Sequence, residues 1–164
     1  LHTEDVANRI EEIDLPKIKK VMYAKGHYYL YKKKNPFKHL IYPLPNSNGH
    51  GIHAGMDIDN NLRFGPNAKW VDSIDYSFKE NTLEEFCNSI KSYWINFDPS
   101  CLIPDYTGIR SKIVAEGEGG QDFEILGSGD HGLENLIHLQ GIDSPGLTSS
   151  LSIAAEVIKK LGIH

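Results

Sequence analysis

The residues best suited to chemistry lie near the end of the chain, where Gly141-Ile142-Asp143-Ser144-Pro145-Gly146-Leu147-Thr148-Ser149-Ser150 runs into an apolar-faced segment closed by Lys159 and Lys160. A loop rich in Gly and Pro hands over, through hydroxyl residues able to cap it, to a helix. The first turn of a helix has unpaired backbone N–H groups and a partial positive charge, so it can hold an anion or an electron-rich ring edge. By helix signals alone the same string is an ordinary capped helix. A second candidate is Arg110, in Pro104-Asp105-Tyr106-Thr107-Gly108-Ile109-Arg110-Ser111-Lys112. On a strand its guanidinium can offer a bidentate fork to a carboxylate, and Gly108 lets another group approach closely. The alternative is an edge-strand Arg in water or paired with an acid.

Other groups point less clearly to chemistry. The eight histidines include two suggestive pairs, His50 with His53 and His131 with His138. Residues three apart on a strand face opposite ways, and no carboxylate stands in a ligand motif beside either pair, so no metal site is expected. Neither cysteine nor any serine lies in a G-x-S-x-G elbow. Gly117-Glu118-Gly119-Gly120-Gln121 resembles a nucleotide loop but lacks the spacing and the following helix, and reads as a surface turn.

The elements that must position these residues follow from periodicity. A helix is expected over 1–13, with Val6, Ala7, Ile10 and Ile13 on one side. A Tyr- and Val-rich strand follows over 20–32, a short one over 40–44, and an Asn46 to His50 loop. In Gly51 to Ile58, residues Ile52, Ala54, Met56 and Ile58 alternate with His53, Gly55 and Asp57, and Asp59-Asn60-Asn61 turns the chain back into Leu62-Arg63-Phe64. Thr82-Leu83-Glu84-Glu85 is a capping-box sequence opening a helix to about Trp94. Further strands are expected near 107–115, 123–126 and 135–140. The last helix carries Leu147, Leu151, Ala154, Ile158 and Leu161 along one stripe, with Gly162 where it stops. The sum is an α+β fold, a largely antiparallel sheet with packed helices.

Composition excludes several classes. A hydrophobic fraction of 40% with 24% charged residues describes a globular chain able to bury a core. A net charge of −5 argues against sequence-independent nucleic-acid binding, which needs clustered cations; Lys32-Lys33-Lys34 reads as a solvated turn. No apolar run approaches the ~20 residues of a membrane span and no secretory signal is visible. Two cysteines without metal or disulfide spacing point to a reducing, cytoplasmic setting.

Taken in order, Ala24-Lys25-Gly26-His27-Tyr28-Tyr29, Ile41-Tyr42-Pro43-Leu44-Pro45, Gly51-Ile52-His53 with Met56-Asp57-Ile58, Arg63-Phe64-Gly65-Pro66-Asn67, the Asp105 to Arg110 string and Gly141 to Thr148 form a specific combination. The chain resembles the C-terminal half of an FAD-dependent oxidoreductase of the D-amino-acid oxidase/glycine oxidase superfamily, within it the L-2-hydroxyglutarate dehydrogenase branch. Members begin with a Rossmann βαβ unit whose G-x-G-x-x-G loop holds the FAD pyrophosphate. No such unit is expected here, so the resemblance implies one substrate-binding-type domain over 1–164, with 141–164 as the flavin-facing loop and helix of an otherwise absent FAD domain.

The resemblance also implies roles. Arg110 takes the place of the Arg that grips the substrate carboxylate, although Ser111 follows it where the family usually has Pro. Gly146, Leu147 and Thr148 match the loop against the flavin. The implied reaction is oxidation of a 2-hydroxy acid to a 2-oxo acid, with His53 as the base and Tyr42, Tyr106 and Lys25 lining the pocket; His53 as a hydrogen-bonded structural residue is the alternative. Implied partners are an N-terminal FAD-binding half and a small carboxylate substrate, and the face that would meet that half could instead drive self-association. An inactive remnant or carboxylate-binding module is the competing reading.

Overall fold

A computed structural model describes residues 1–13, 15–44, 51–118 and 122–163. The expected Asn46 to His50 loop, with His50, and part of the Gly117 to Gln121 turn lie outside the described residues. The chain gathers into two compact units, one formed by Ala24–Ile109 and the other by Leu1–Tyr23 with Arg110–His164.

The Ala24–Ile109 unit is built on a five-stranded sheet. Strand β1 (Met22–Tyr31) pairs with β3 (Leu62–Phe64), β4 (Lys69–Val71) and β5 (Leu102–Lys112), and β2 (Ala54–Met56) flanks β3. β2 and β3 form the expected hairpin, antiparallel with Ala54 opposite Phe64 and Met56 opposite Leu62. Asn60 supplies the positive φ (63°) of its turn, a backbone that Asn tolerates better than most residues. The alternation expected over residues 51–58 holds for buried Ile52 and Ala54, but Ile58 is fully exposed on the tip.

One face of β1 carries Lys25, His27, Tyr29 and Tyr31, all buried. Tyr29 and Tyr31 join Phe64, Leu62, Phe97 and Leu102 in an aromatic core, closed by Phe86, Cys87 and Ile90 of helix α2 (Leu83–Lys91). The capping box expected at Thr82 does not form. The Thr82 hydroxyl lies 3.1 Å from the Tyr29 hydroxyl, and Glu85 accepts from Asn67 Nδ2 at 3.0 Å. Both box residues are drawn into tertiary contacts, which satisfy buried polar groups at the same time. The strand expected over residues 40–44 reduces to a single bridge, Ile41 to Ala54.

Two family-like motifs interlock across this sheet. A Cβ on Gly65 (φ +135°) would stand 2.5 Å from the His27 carbonyl, and one on Gly26 would stand 2.7 Å from Pro66. Gly65 is therefore demanded by its own left-handed backbone and by the approach of the His27 carbonyl, and Gly26 by the close approach of the Pro66 ring.

In the other unit, β6 (Glu124–Leu126) and β7 (His138–Gln140) pair antiparallel, Ile125 opposite Leu139. The first helix is shorter than expected, α1 at Thr3–Ala7, with Ala7 buried and Val6 exposed. It is tied down by Thr3, whose hydroxyl donates to the Leu139 carbonyl at 2.7 Å, and by Glu4, which accepts the Val21 N–H at 2.7 Å. Buried Gln140 bridges the Lys19 N–H and Glu124.

A G-x-G-x-x-G spelling does occur, at Gly127, Gly129 and Gly132 after β6, and the sequence reading passes over it. The structure shows why it is no Rossmann loop. Helix α3 (Ser128–His131) is a single turn stopped by Gly132 at φ +82°, and β6 meets β7 in an antiparallel pair where a dinucleotide fold needs parallel strands joined by a long helix. The final helix, α4 (Ser150–Lys160), forms where expected, and Gly162 follows it with φ +68°.

Candidate functional site

In the Ala24–Ile109 unit, His53 precedes β2 and its ring lies 4.1 Å from that of Tyr42, so the structure brings these two candidates together. Tyr42 is largely exposed, and the His53 carbonyl accepts the Gly65 N–H at 3.0 Å. Tyr106, on β5, stacks on Tyr28 at 4.4 Å with the rings nearly parallel. Partial burial, followed by the neighbouring Tyr28, pushes the Tyr106 phenol upward, so it stays a neutral donor at ordinary pH. Beside it Asp105 accepts from Arg63 Nε at 2.6 Å, and Arg63 also pairs with Asp57.

Lys25, expected to line a pocket, is instead 1% exposed. Its ammonium donates to the Ser77 carbonyl at 2.5 Å and to Glu80 at 2.9 Å. Glu80 also meets His27 Nε2 at 3.0 Å, while His27 Nδ1 faces Asn67 Oδ1 at 2.9 Å. The hydrogen bond from His27, then that from Lys25, holds the Glu80 carboxyl down at about 2. A buried ammonium survives only beside such a compensating charge. The sequence gives little sign of this network, because Glu80 meets partners more than fifty positions away in an irregular segment.

In the other unit, Arg110 lies at the end of β5, its Nε 3.9 Å from Asp143. Lys112 also pairs with Asp143. Among the described residues the Arg110 guanidinium makes no hydrogen bond, so its donors remain available for a planar anion. Asp143 opens the loop that carries Gly146, Leu147 and Thr148, and its pairing with Arg110 and Lys112 is a contact the motif reading does not anticipate. Gly146 is buried, and a Cβ there would stand 2.6 Å from the Asp143 carbonyl and 2.7 Å from Ile142. Leu147 is 91% exposed. Ser149 does not cap α4; its hydroxyl donates backward to the Pro145 carbonyl at 3.0 Å. Among the described residues the Leu147 and Thr148 N–H groups have no partner. That leaves backbone donors at an uncapped helix start, which fits the electron-rich edge or an anionic group of a cofactor.

His131 and His138 are both buried in this unit. Burial, then the nearby His131, lowers the His138 pKa. Among the described residues no three His, Cys, Asp or Glu side chains gather to hold a metal ion.

Comparison with known proteins decides the family. A model of the FAD dependent oxidoreductase family matches residues 5–160. The chain belongs to this family. It is 33% identical over 98% of its length to the mitochondrial L-2-hydroxyglutarate dehydrogenase of Arabidopsis thaliana. It is 30% identical over 85% of its length to a glycerol 3-phosphate oxidase of Mycoplasma genitalium. It spans 36% of the length of each of those relatives. Among solved structures, L-alpha-glycerophosphate oxidase from Mycoplasma pneumoniae with FAD bound superposes with a TM-score of 0.76 at 18% identity, covering 99% of this chain and 41% of that one. The fold is thus that of FAD-dependent oxidoreductases of the D-amino-acid oxidase type, and FAD is the cofactor that family membership brings. No helix among the described residues is long and apolar enough to cross a membrane.

Proposed function

We propose that these residues are the substrate-binding portion and flavin-facing terminal helix of a dehydrogenase or oxidase that converts a 2-hydroxy acid of the 2-hydroxyglutarate type to the 2-oxo acid. The observation that carries the reading is Arg110: a guanidinium with unused donors, in the Gly-Ile-Arg position, in a chain 33% identical across nearly its whole length to an L-2-hydroxyglutarate dehydrogenase. Arg110 grips the substrate carboxylate through paired N–H donors. His53 accepts the hydroxyl proton at an imidazole nitrogen, a task suited to histidine near neutral pH. By the resemblance, Tyr42 and Tyr106 are further candidates for substrate contact. FAD, when bound, supplies the hydride acceptor. Gly146 keeps the loop close-packed, and the Leu147 and Thr148 N–H groups would supply fixed donors to bound flavin, of the kind that stabilise developing negative charge.

The rest of the FAD site comes from an N-terminal FAD-binding half, as a separate chain or as more of the same protein, and residues 141–164 are the element that meets it. The apolar face of α4, with Leu151 85% exposed, is the surface that half covers; two copies of the chain pairing there is the competing use of it. Cys87 and Cys101 are both unpaired, in keeping with a reducing, cytoplasmic setting.

The test is to mix the chain with a matching N-terminal half and assay dye-linked oxidation of 2-hydroxyglutarate and of glycerol 3-phosphate in parallel. Oxidation of 2-hydroxyglutarate by the mixture alone is expected. Preference for glycerol 3-phosphate overturns the substrate, and tight FAD binding by the chain alone overturns the division of the site. In the active mixture Arg110→Ala should remove about 2–4 kcal/mol from kcat/KM, and a loss smaller than about threefold removes Arg110 from the carboxylate grip.

A further inference from the structure

The proposed reaction engages one end of the substrate, its carboxylate through Arg110 and its hydroxyl through His53, and assigns nothing firm to the far end. Within the Ala24–Ile109 unit, the surroundings of His53 supply what is missing. Ile52 and Ala54 are buried in the aromatic core, as are Tyr29 and Phe64, which pair across β1 and β3. Side chains alternate along a strand, so His53 and Tyr28 belong to the opposite face of the sheet. The two stand in one row across it. The Gly65 N–H donates to the His53 carbonyl at 3.0 Å, and a Cβ on Gly65 would stand 2.9 Å from Cδ1 of the Tyr28 ring. Gly65 therefore lies between His53 and Tyr28 and puts no side chain there.

Each end of this row carries a second ring. Tyr42 lies 4.1 Å from His53, and Tyr106 stacks on Tyr28 at 4.4 Å. Neighbouring strands run about 4.8 Å apart, so the tyrosine stack stands two strand spacings, about 10 Å, from the line of His53. An extended five-carbon acid with a hydrogen bond at each end bridges such a span. The donors at the stack are neutral. Among the described residues the Tyr106 hydroxyl has no hydrogen-bond partner, and Arg63, the cation paired with neighbouring Asp105, is also paired with Asp57. A carboxylate is satisfied by a phenol donor, and its methylenes by an aromatic wall. A phosphate carries nearly two charges at neutral pH and calls for a cation that is not already spent.

We propose that the Tyr28–Tyr106 stack is the subsite for the far end of the substrate and selects a dicarboxylic 2-hydroxy acid over a phosphate ester. The Tyr106 hydroxyl donates to the distal carboxylate. Tyr28 holds the Tyr106 ring in place and walls the carbon chain above Gly65. Arg63, neutralised by Asp57 and Asp105, adds no net attraction for a phosphate. The inference rests on the reading of His53 as the group at the reacting hydroxyl, and it adds to that reading what decides between substrates sharing the same reacting end.

The experiment compares kcat/KM of the FAD-loaded enzyme on 2-hydroxyglutarate, on 2-hydroxypentanoate, which has the same carbon chain without the distal carboxylate, and on glycerol 3-phosphate. Tyr106→Phe keeps the stack and should lower the preference for 2-hydroxyglutarate over 2-hydroxypentanoate about tenfold, with a parallel rise of about tenfold in the calorimetric dissociation constant for glutarate. Tyr28→Ala should lower the same preference about fivefold, and Tyr28→Phe, which keeps the ring, should restore it. Asp105→Asn releases part of the Arg63 charge and should raise glycerol 3-phosphate relative to 2-hydroxyglutarate about threefold. Each variant is its own control across substrates, so a partly misfolded preparation cancels from every ratio. Arg110→Ala should lower both hydroxy acids alike, because both carry the carboxylate it grips. Insensitivity to Arg110→Ala therefore overturns the carboxylate grip, whereas an unchanged preference in Tyr106→Phe, or an unchanged phosphate ratio in Asp105→Asn, overturns this subsite alone.

Discussion

Helices α2 and α4 are written in the same way, each with an apolar stripe and hydroxyl residues at its start, yet they end differently. α2 seats Phe86, Cys87 and Ile90 in the aromatic core of the sheet. α4 buries none of its residues, and Leu151 and Ile158 stay exposed. The starts are alike: neither N-cap hydroxyl caps its own helix, Thr82 spending its hydroxyl on Tyr29 and Ser149 on the Pro145 carbonyl. An amphipathic stripe thus states that a helix needs a neighbour, and only the fold says whether these residues contain it. α2 is finished within the chain. α4 is finished, in our reading, by the FAD-binding half.

The sharpest way to break this comparison is Phe86→Ala. Removing a fully buried ring should cost about 3–5 kcal/mol in urea unfolding, and a loss below about 1 kcal/mol would place α2 alongside α4 as a weakly anchored helix. Glu80→Ala comes next. It strips the compensating charge from buried Lys25 and from His27, and about 3 kcal/mol is expected, the low end of the range for a broken buried pair because part of Glu80 reaches water. The pH dependence follows from the same carboxyl. Its folded value, about 2, lies below the ordinary 4.5, so its contribution is complete above pH 4.5 and is lost as the pH falls through 2. The wild-type stability curve should steepen over that acid interval, and Glu80→Ala should flatten it. The smallest effect is expected from Leu151→Ser, within about 0.5 kcal/mol for this chain alone, but with clear loss of association with an N-terminal half. A large loss of stability in the isolated chain would mean that α4 already has a packing partner.

Local pattern carried much of the fold. The hairpin at Asp59 to Asn61, the body of α2, the place of α4 and its stop at Gly162 follow from turn chemistry and periodicity, which act over a few residues. Elements of three or four residues, β4 and α3, carry too little periodicity to be read. The candidate residues were legible as types in motifs, and Tyr42 with His53 do meet. Their partners were less so. Asp143 sits inside the closing motif, yet its pairing with Arg110 and Lys112 spans about thirty positions. Lys25 was read as a pocket residue and is instead locked under the sheet, because its compensating acid arrives from a loop with no regular pattern.

By itself the sequence determined the family, the antiparallel α+β character and the residues that can do chemistry, because motif order and side-chain type are properties of the chain. The tertiary structure decided which of those residues are already satisfied: Thr82, Glu85 and Lys25 are consumed by internal contacts, while Arg110, Leu147 and Thr148 keep donors unused. The physical reason is that hydrogen-bond capacity is fixed by residue type, but whether it is spent within the fold depends on groups brought close from distant positions.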